Sequence, residues 1–313
     1  MTFHSLQVNL IADELAGSVN GISTKGFSYY IAYSLRVPAY EMSLLQSIIL
    51  GIVQGATEFL PISSTAHMTL AARMMGVISP AHPEQWTAYM AVIQLGTLLA
   101  VLAYFRMDIV HITSSFVEEA LIARKPYRAQ SHTARMGWLI IVGTLPVAVL
   151  GLALRKIIEG DFTKNLWVLT ISMIVFAVLL WIAERVAKHA RTVEEVTMKD
   201  SLIIGFAQAF ALFPGSSRSG TTITGGLFAG LNREAAARYS FLLSIPAVFA
   251  SGVLELKEAL HFMNGSELNT LLVGTIVAFL VGYGAIWFLL NYLKTHNTNV
   301  FVYYRLAWRF MCI

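Results

Sequence analysis

Long stretches without a charged side chain recur along this sequence. Gln85 to Phe105, Met136 to Leu154, Leu166 to Ala183 and Leu271 to Leu290 contain none. Each approaches the roughly 20 residues with which a helix crosses about 30 Å of hydrocarbon. Tyr239 to Leu254 is shorter but continues the apolar face before it. Two further apolar segments are interrupted. Leu44 to Val77 runs as an apolar helix into Pro61, turns through Ser63, Ser64 and Thr65, and leaves as a second short helix. Ser201 to Leu231 has the same plan, broken at Pro214-Gly215 and followed by a serine-rich turn.

The interrupted segments resemble each other. Gly51 and Gln54 match Gly205 and Gln208, and Pro61-Ile-Ser-Ser64 matches Pro214-Gly-Ser-Ser217 with one residue of slippage. A strong apolar helix follows each, from near Gln85 and near Glu234. Broken helices at corresponding places in two halves point to a site near the membrane midplane. If each is a hairpin that enters and leaves on one face, counting the spans between them makes the second hairpin dip from the opposite face. The pattern therefore predicts an all-α polytopic membrane protein. It would be an inverted-topology repeat with two re-entrant broken-helix hairpins and about six transmembrane helices. Repeat one covers about 42–154 and repeat two about 166–313.

Composition agrees with lipid as the solvent. The 313 residues are 56% hydrophobic and 13% charged, against about 25% charged in a soluble domain. The net charge of +4 reports loop orientation in such a chain and calls for no nucleic-acid partner. One face would carry Arg106, Arg124, Lys125, Arg128, Arg135, Arg185, Lys188, Arg191, Lys199 and Lys294. The other would carry only Arg155, Lys156, Lys164 and Lys257. Positive loops stay in the cytoplasm, which makes the first face cytoplasmic. The single cysteine, Cys312, excludes an intramolecular disulfide. Residues 1–41 are mixed in character and hold no membrane-length run. They read as an N-terminal extension, disordered or absent from the native protein, with Met42 as the start of the single membrane domain 42–313.

Polar residues of several kinds interrupt the apolar sequence. Glu58 lies between apolar neighbours, where a carboxylate costs roughly 3 kcal/mol on insertion scales and is a functional candidate by default. Gln54, four residues earlier, shares its helix face, and the pair offers oxygen ligands that suit Mg²⁺ or Ca²⁺. An interfacial Glu paired with a basic residue is the alternative. Arg218 sits in Pro214-Gly-Ser-Ser-Arg-Ser-Gly220, where a guanidinium fork matches phosphate oxygens. Gly215 and Gly220 let the backbone approach a ligand, and the helix starting near Ser219 aims unpaired amides into the turn. Ser63, Ser64, Thr65 and His67 form the facing turn. Ser64 and His67 are three apart, so their side chains can meet, with His67 as base for a serine or acid for a leaving phosphate. Capping of the following helix is the other reading of these hydroxyls. Gly226-x-x-x-Gly230 reads as close helix packing. Arg305, in the last apolar stretch, reaches either the pocket or the interface. Arg233, Glu234 and Arg238 read as a solvated helix start.

These residues carry a resemblance. Gln54-Gly-Ala-Thr-Glu58-Phe-Leu-Pro-Ile-Ser-Ser-Thr-Ala-His67 resembles the glutamate-rich motif of the undecaprenyl-diphosphate phosphatase family, the bacitracin-resistance proteins. Pro214-Gly-Ser-Ser-Arg-Ser-Gly-Thr-Thr222 resembles that family's PGxSRSxxT motif. The resemblance runs from about Met42 to about Arg305. It implies hydrolysis of undecaprenyl pyrophosphate to the monophosphate carrier used in cell-wall synthesis, a divalent cation, and a site in the bacterial inner membrane that opens to the periplasm. The family's acidic positions fall on Gln54 and Glu58, the first lacking its charge here. Its hydroxyl and histidine positions fall on Ser63, Ser64, Thr65 and His67, and its arginine motif on Ser217, Arg218 and Thr222. The N-terminal extension and the short end depart from the pattern.

The expected pocket has Glu58, Ser64, His67 and Arg218 as catalytic groups. Ser63, Thr65, Gly215, Ser216, Ser217, Ser219 and Thr222 line the substrate, and Gln54 and Glu58 hold the metal. Ser64 is the expected nucleophile, with a metal-activated water as the alternative. The expected partners are the prenyl pyrophosphate and membrane lipid, with a homodimer left open. A prenyl-phosphate flippase built on the same pocket is the rival from another class.

Overall fold

The computed structural model describes residues 42–78, 83–154, 166–262 and 265–308. The expected extension 1–41, Arg155, Lys156 and Lys164 of the sparsely charged face, and the chain end from 309 lie outside the described residues.

Within them the chain is helical: α1 (Leu44–Glu58), α2 (Ser64–Met74), α3 (Pro83–Tyr104), α4 (Arg106–Phe116), α5 (His132–Ala153), α6 (Leu166–Val186), α7 (Met198–Ala209), α8 (Arg218–Phe228), α9 (Arg233–Phe262), α10 (Gly265–Thr295) and α11 (Asn299–Ala307). A single isolated bridge joins Arg191 to Leu231. Five helices, α3, α5, α6, α9 and α10, are long and apolar enough to cross a membrane. They carry outward-facing hydrophobics such as Leu152, Trp167 and Leu254, which only lipid would cover. The protein is an all-α, multi-pass membrane protein. The sixth span expected at the chain end is, in its described part, the nine-residue α11, too short to cross.

The sequence repeat reappears in the contacts. Ser47 donates to the Thr270 carbonyl at 2.6 Å, and Ser201 donates to the Leu139 carbonyl at 2.6 Å. A Cβ on Gly51 would lie 2.5 Å from the Gly274 carbonyl oxygen, and one on Gly205 would lie 2.4 Å from that of Gly143. Thus α1 packs on α10 and α7 packs on α5. Each broken segment leans on a long helix of the other half, and glycine permits the approach. One spacing relates Ser47 to Ser201, Gly51 to Gly205, Gln54 to Gln208 and Ser63 to Ser217. The expected slippage is therefore confined to the prolines. Ser63 corresponds to Ser217, not to Ser216, because the helix cap fixes the register and the proline only ends the helix before it.

One other expectation changes, and the reading of Gly226 as a close-packing residue holds. Arg233 and Arg238 do not form a merely solvated helix start. Arg233 bonds Glu184, with Nε to Oε1 at 2.6 Å, and Nη2 of Arg238 donates to both Asp108 oxygens at 2.9 Å. These pairs tie the head of α9 to α6 and α4. Gly226 is a packing glycine, since its Cβ would meet that of Ala236 at 2.7 Å.

Candidate active site

Both broken segments end in the same local device. Ser63 and Ser217 cap α2 and α8, and their hydroxyls accept from Ala66 and Gly220 amides respectively. Both are non-glycine residues with positive φ, 72° and 70°, an uncommon backbone state that asks for support from its surroundings. The turn before α8 also needs Gly215, at φ +86°, where a Cβ would strike the Leu169 carbonyl at 2.4 Å. Two helices thus start at the ends of facing turns, each with first-turn amides that no intrahelical carbonyl can reach.

The turns meet at Glu58, in the last turn of α1. Its buried carboxylate accepts from three sides. Gln54 Nε2 donates to Oε2 at 2.9 Å, Ser64 Oγ donates to Oε2 at 2.6 Å, and Arg218 Nη2 donates to Oε1 at 2.7 Å. The last bond joins residues 160 positions apart, one from each repeat, and forms an ion pair with both side chains largely buried. The second guanidinium nitrogen, Nη1 of Arg218, is buried and has no protein partner. A buried charged donor left open is costly, unless a ligand oxygen completes it.

The repeat explains this asymmetry. The counterpart of Glu58 in the second half is Leu212, and the counterpart of Ser64 is Arg218. One half supplies carboxylate and hydroxyl, the other the cation.

Ser64 and His67, expected to meet, are not brought together. The Ser64 proton points to Glu58, the stronger acceptor. His67 turns the other way: Nδ1 lies 2.7 Å from the Ser63 carbonyl and Nε2 lies 2.6 Å from the Tyr304 hydroxyl. A carbonyl can only accept, so Nδ1 carries the proton and Tyr304 donates to Nε2 of a neutral ring. Trp308 packs on the same imidazole, with centroids 4.1 Å apart. Of the expected lining residues, several are engaged inside the protein. Ser216 donates to the Phe213 carbonyl at 2.7 Å, Ser219 to the Leu60 carbonyl at 3.1 Å, and Thr222 to the Arg218 carbonyl at 2.7 Å. These hold the turn in shape. Thr65, half-buried in the first turn of α2, has no hydrogen bond of its side chain to either turn.

The sequence pattern did not single out Tyr304 or Trp308. Their only signal is proximity to Arg305, a charge in an apolar helix. Arg305 itself is fully buried and reaches the turns, not the interface.

As metal ligands, Gln54 and Glu58 make a sparse set. Among the described residues no three His, Cys, Asp or Glu side chains cluster, and both Glu58 oxygens already accept hydrogen bonds. The pair fits a cation such as Mg²⁺ that takes one carboxylate and draws its other oxygens from a phosphate ligand and water.

Residues 47–310 match the family model described as Bacitracin resistance protein BacA. The undecaprenyl-diphosphatase of Syntrophobacter fumaroxidans is 53% identical over 266 residues, covering 85% of this chain and 95% of that protein. That of Myxococcus xanthus is 52% identical, covering 85% of this chain and 86% of its own. That of Chlorobium chlorochromatii is 48% identical, covering 85% and 94%.

Proposed function

Because the chain belongs to the bacitracin resistance protein BacA family, we propose that it is an undecaprenyl-diphosphatase. It hydrolyses undecaprenyl pyrophosphate to undecaprenyl phosphate and inorganic phosphate. This recycles the lipid carrier for cell-wall synthesis and confers bacitracin resistance. The observation that carries the reading is the open, buried Nη1 of Arg218 beside a nitrogen paired to Glu58. A guanidinium held at one edge presents its other edge to a phosphate oxygen in fixed geometry.

The residues divide the work as follows. Arg218 and the first-turn amides of α2 and α8 bind and orient the diphosphate. Positioning and charge stabilisation supply most of the catalysis in phosphoryl transfer. Glu58 Oε2 receives the Ser64 proton along the existing 2.6 Å bond, and Ser64 Oγ attacks the terminal phosphorus. The bond to the bridging oxygen breaks, the lipid monophosphate leaves, and water then releases phosphate from Ser64. The hydrogen bond from Ser64 to Glu58 supports Glu58 as the base in place of His67, and the bonds of His67 to Ser63 and Tyr304 support a part in holding α2 against α11. A Mg²⁺ or Ca²⁺ ion held by Glu58 and the Gln54 carbonyl oxygen would neutralise phosphate charge. The placement of the membrane follows the charge bias: the site opens to the periplasmic side of the bacterial inner membrane, between two re-entrant hairpins of inverted orientation. The flippase reading finds no support among the relatives, whose names are those of an enzyme.

The test is phosphate release by protein purified in detergent and given a prenyl pyrophosphate, with Mg²⁺ or with EDTA. Release that requires the cation, and falls at least about 100-fold in Glu58→Gln, Ser64→Ala and Arg218→Ala, is the expected result. Trapping of phosphate on Ser64 separates serine attack from direct attack by water. Well-folded parent protein that binds the lipid and releases nothing would overturn the assignment.

A further inference from the structure

Arg305 sits in α11, outside both motifs, and has no contact with open solvent. Its Nη2 donates to the Gly215 carbonyl at 3.0 Å and to the Ser216 carbonyl at 2.9 Å, and its Nη1 lies 3.5 Å from the Pro61 carbonyl. Gly215 and Ser216 belong to the second turn and Pro61 to the first. One guanidinium therefore bridges the two broken segments, in addition to Arg218–Glu58. Among the described residues no carboxylate pairs with it, and its Nε has no partner. A fully buried cation answered only by carbonyls is an expensive way to hold a fold, and an apolar residue would fill the space at lower cost. The neighbouring residues act on the same place: Tyr304 donates to His67, and Trp308 packs on it.

We infer that Arg305 is a positioning residue for the reaction, its fork holding the two turns in the register at which Glu58 and Arg218 pair across them. The bond between Ser216 and Arg305 also polarises the Ser216–Ser217 peptide. Arg305 does not touch substrate; it acts through the turns. A lysine keeps the charge but is a point donor that cannot span the three carbonyls.

The inference rests on the phosphatase reading only for its activity readout, so two measurements are used. The first is kcat and KM of Arg305→Lys and Arg305→Gln per folded molecule, with folding followed by Tm and size-exclusion profile. Misplacement of about 1 Å costs on the order of 100-fold in rate. The expected outcome is a kcat lowered about 10- to 100-fold with KM within about threefold, and less loss in the lysine variant. The second needs no activity. Spin labels at Met74→Cys and Phe228→Cys, exposed ends of α2 and α8, in a Cys312→Ser background report the distance between the segments. The expected distribution is broader than the parent's or displaced from it in both variants. A distribution unchanged from the parent's overturns the inference whatever the activity. So does a parental kcat per folded molecule in either variant. Failure of both variants to fold assigns Arg305 to the fold alone and also overturns it. A parent that releases no phosphate fails the phosphatase reading, and the distance measurement still decides this one.

Discussion

At Arg218 the two guanidinium nitrogens have different tasks: one is fixed by Glu58 and one is open. Arg218→Lys keeps the charge and loses this division, since an ammonium is a point donor on a flexible stem. Its kcat is expected to fall on the order of 100-fold, close to the loss in Arg218→Ala, as steady-state phosphate release will show. A contrasting expectation holds at Ser63, where the cap and the positive φ coincide. Ser63→Ala loses the cap and keeps the strain, at a cost of about 1 kcal/mol or more. Ser63→Gly loses the cap but relieves the backbone, and costs a few tenths. Thermal melts of the two variants should rank them in that order, and a reversed order would remove the strain argument. Glu58 and Arg218 were legible in the sequence because charge in an apolar run is conspicuous. The pairing of Ser64 with Glu58 was not. Helix spacing favoured His67, three residues away, whereas the turn geometry folds Ser64 back on the preceding helix. Tyr304 carried too ordinary a signature to be read.

Among the elements, the packing of α7 on α5 and of α1 on α10 depends on glycine at the crossing. Gly205→Ala places a Cβ 2.4 Å from the Gly143 carbonyl oxygen, which backbone cannot yield without moving a helix. A destabilisation of about 1–3 kcal/mol is expected, read as a lower Tm, together with reduced activity because α7 leads directly into the second turn. Gly284→Ala in α10 is the control, since nothing lies within 4 Å of its Cβ, and it should leave both unchanged. The long helices were plain from charge-free runs, but their ends were not. The span read from Met136 begins at His132, capped by Ser131. The helix expected from near Glu234 does begin there, at Arg233, and runs for 30 residues. At α5 a polar first turn hid helical residues that the Ser131 cap recruits. The register of the repeat was misplaced by one residue at the prolines, which mark where a helix stops but not where the next one is capped.

Over the molecule as a whole, the connecting-loop face is bound by ion pairs separate from the candidate site. Arg191 forks onto Asp200 at 3.1 and 2.5 Å, and Thr197 donates to the same carboxylate. Burial alone would raise the Asp200 carboxyl, but the Arg191 guanidinium and the Thr197 donors outweigh it and hold the carboxyl below its ordinary value. A depressed folded-state value means that the stabilisation is complete above the unfolded carboxylate range and is lost as pH falls through the folded one. Asp200→Asn should therefore lower Tm at neutral pH and flatten its decline below about pH 4. Parallel curves for parent and variant would rule this out. The crossed partnership of the halves also bears on how the chain is made. Gly51 of α1 closes on Gly274 of α10, about 220 residues later in synthesis. At about 5–20 residues per second, the first hairpin waits roughly 10–40 seconds in the membrane for the surface that completes it. For the 160 residues of synthesis that separate Glu58 from Arg218, the buried carboxylate has neither its arginine nor its helix partner. Biogenesis, more than the finished fold, is then where this protein is most exposed to a protease or to a wrong neighbour.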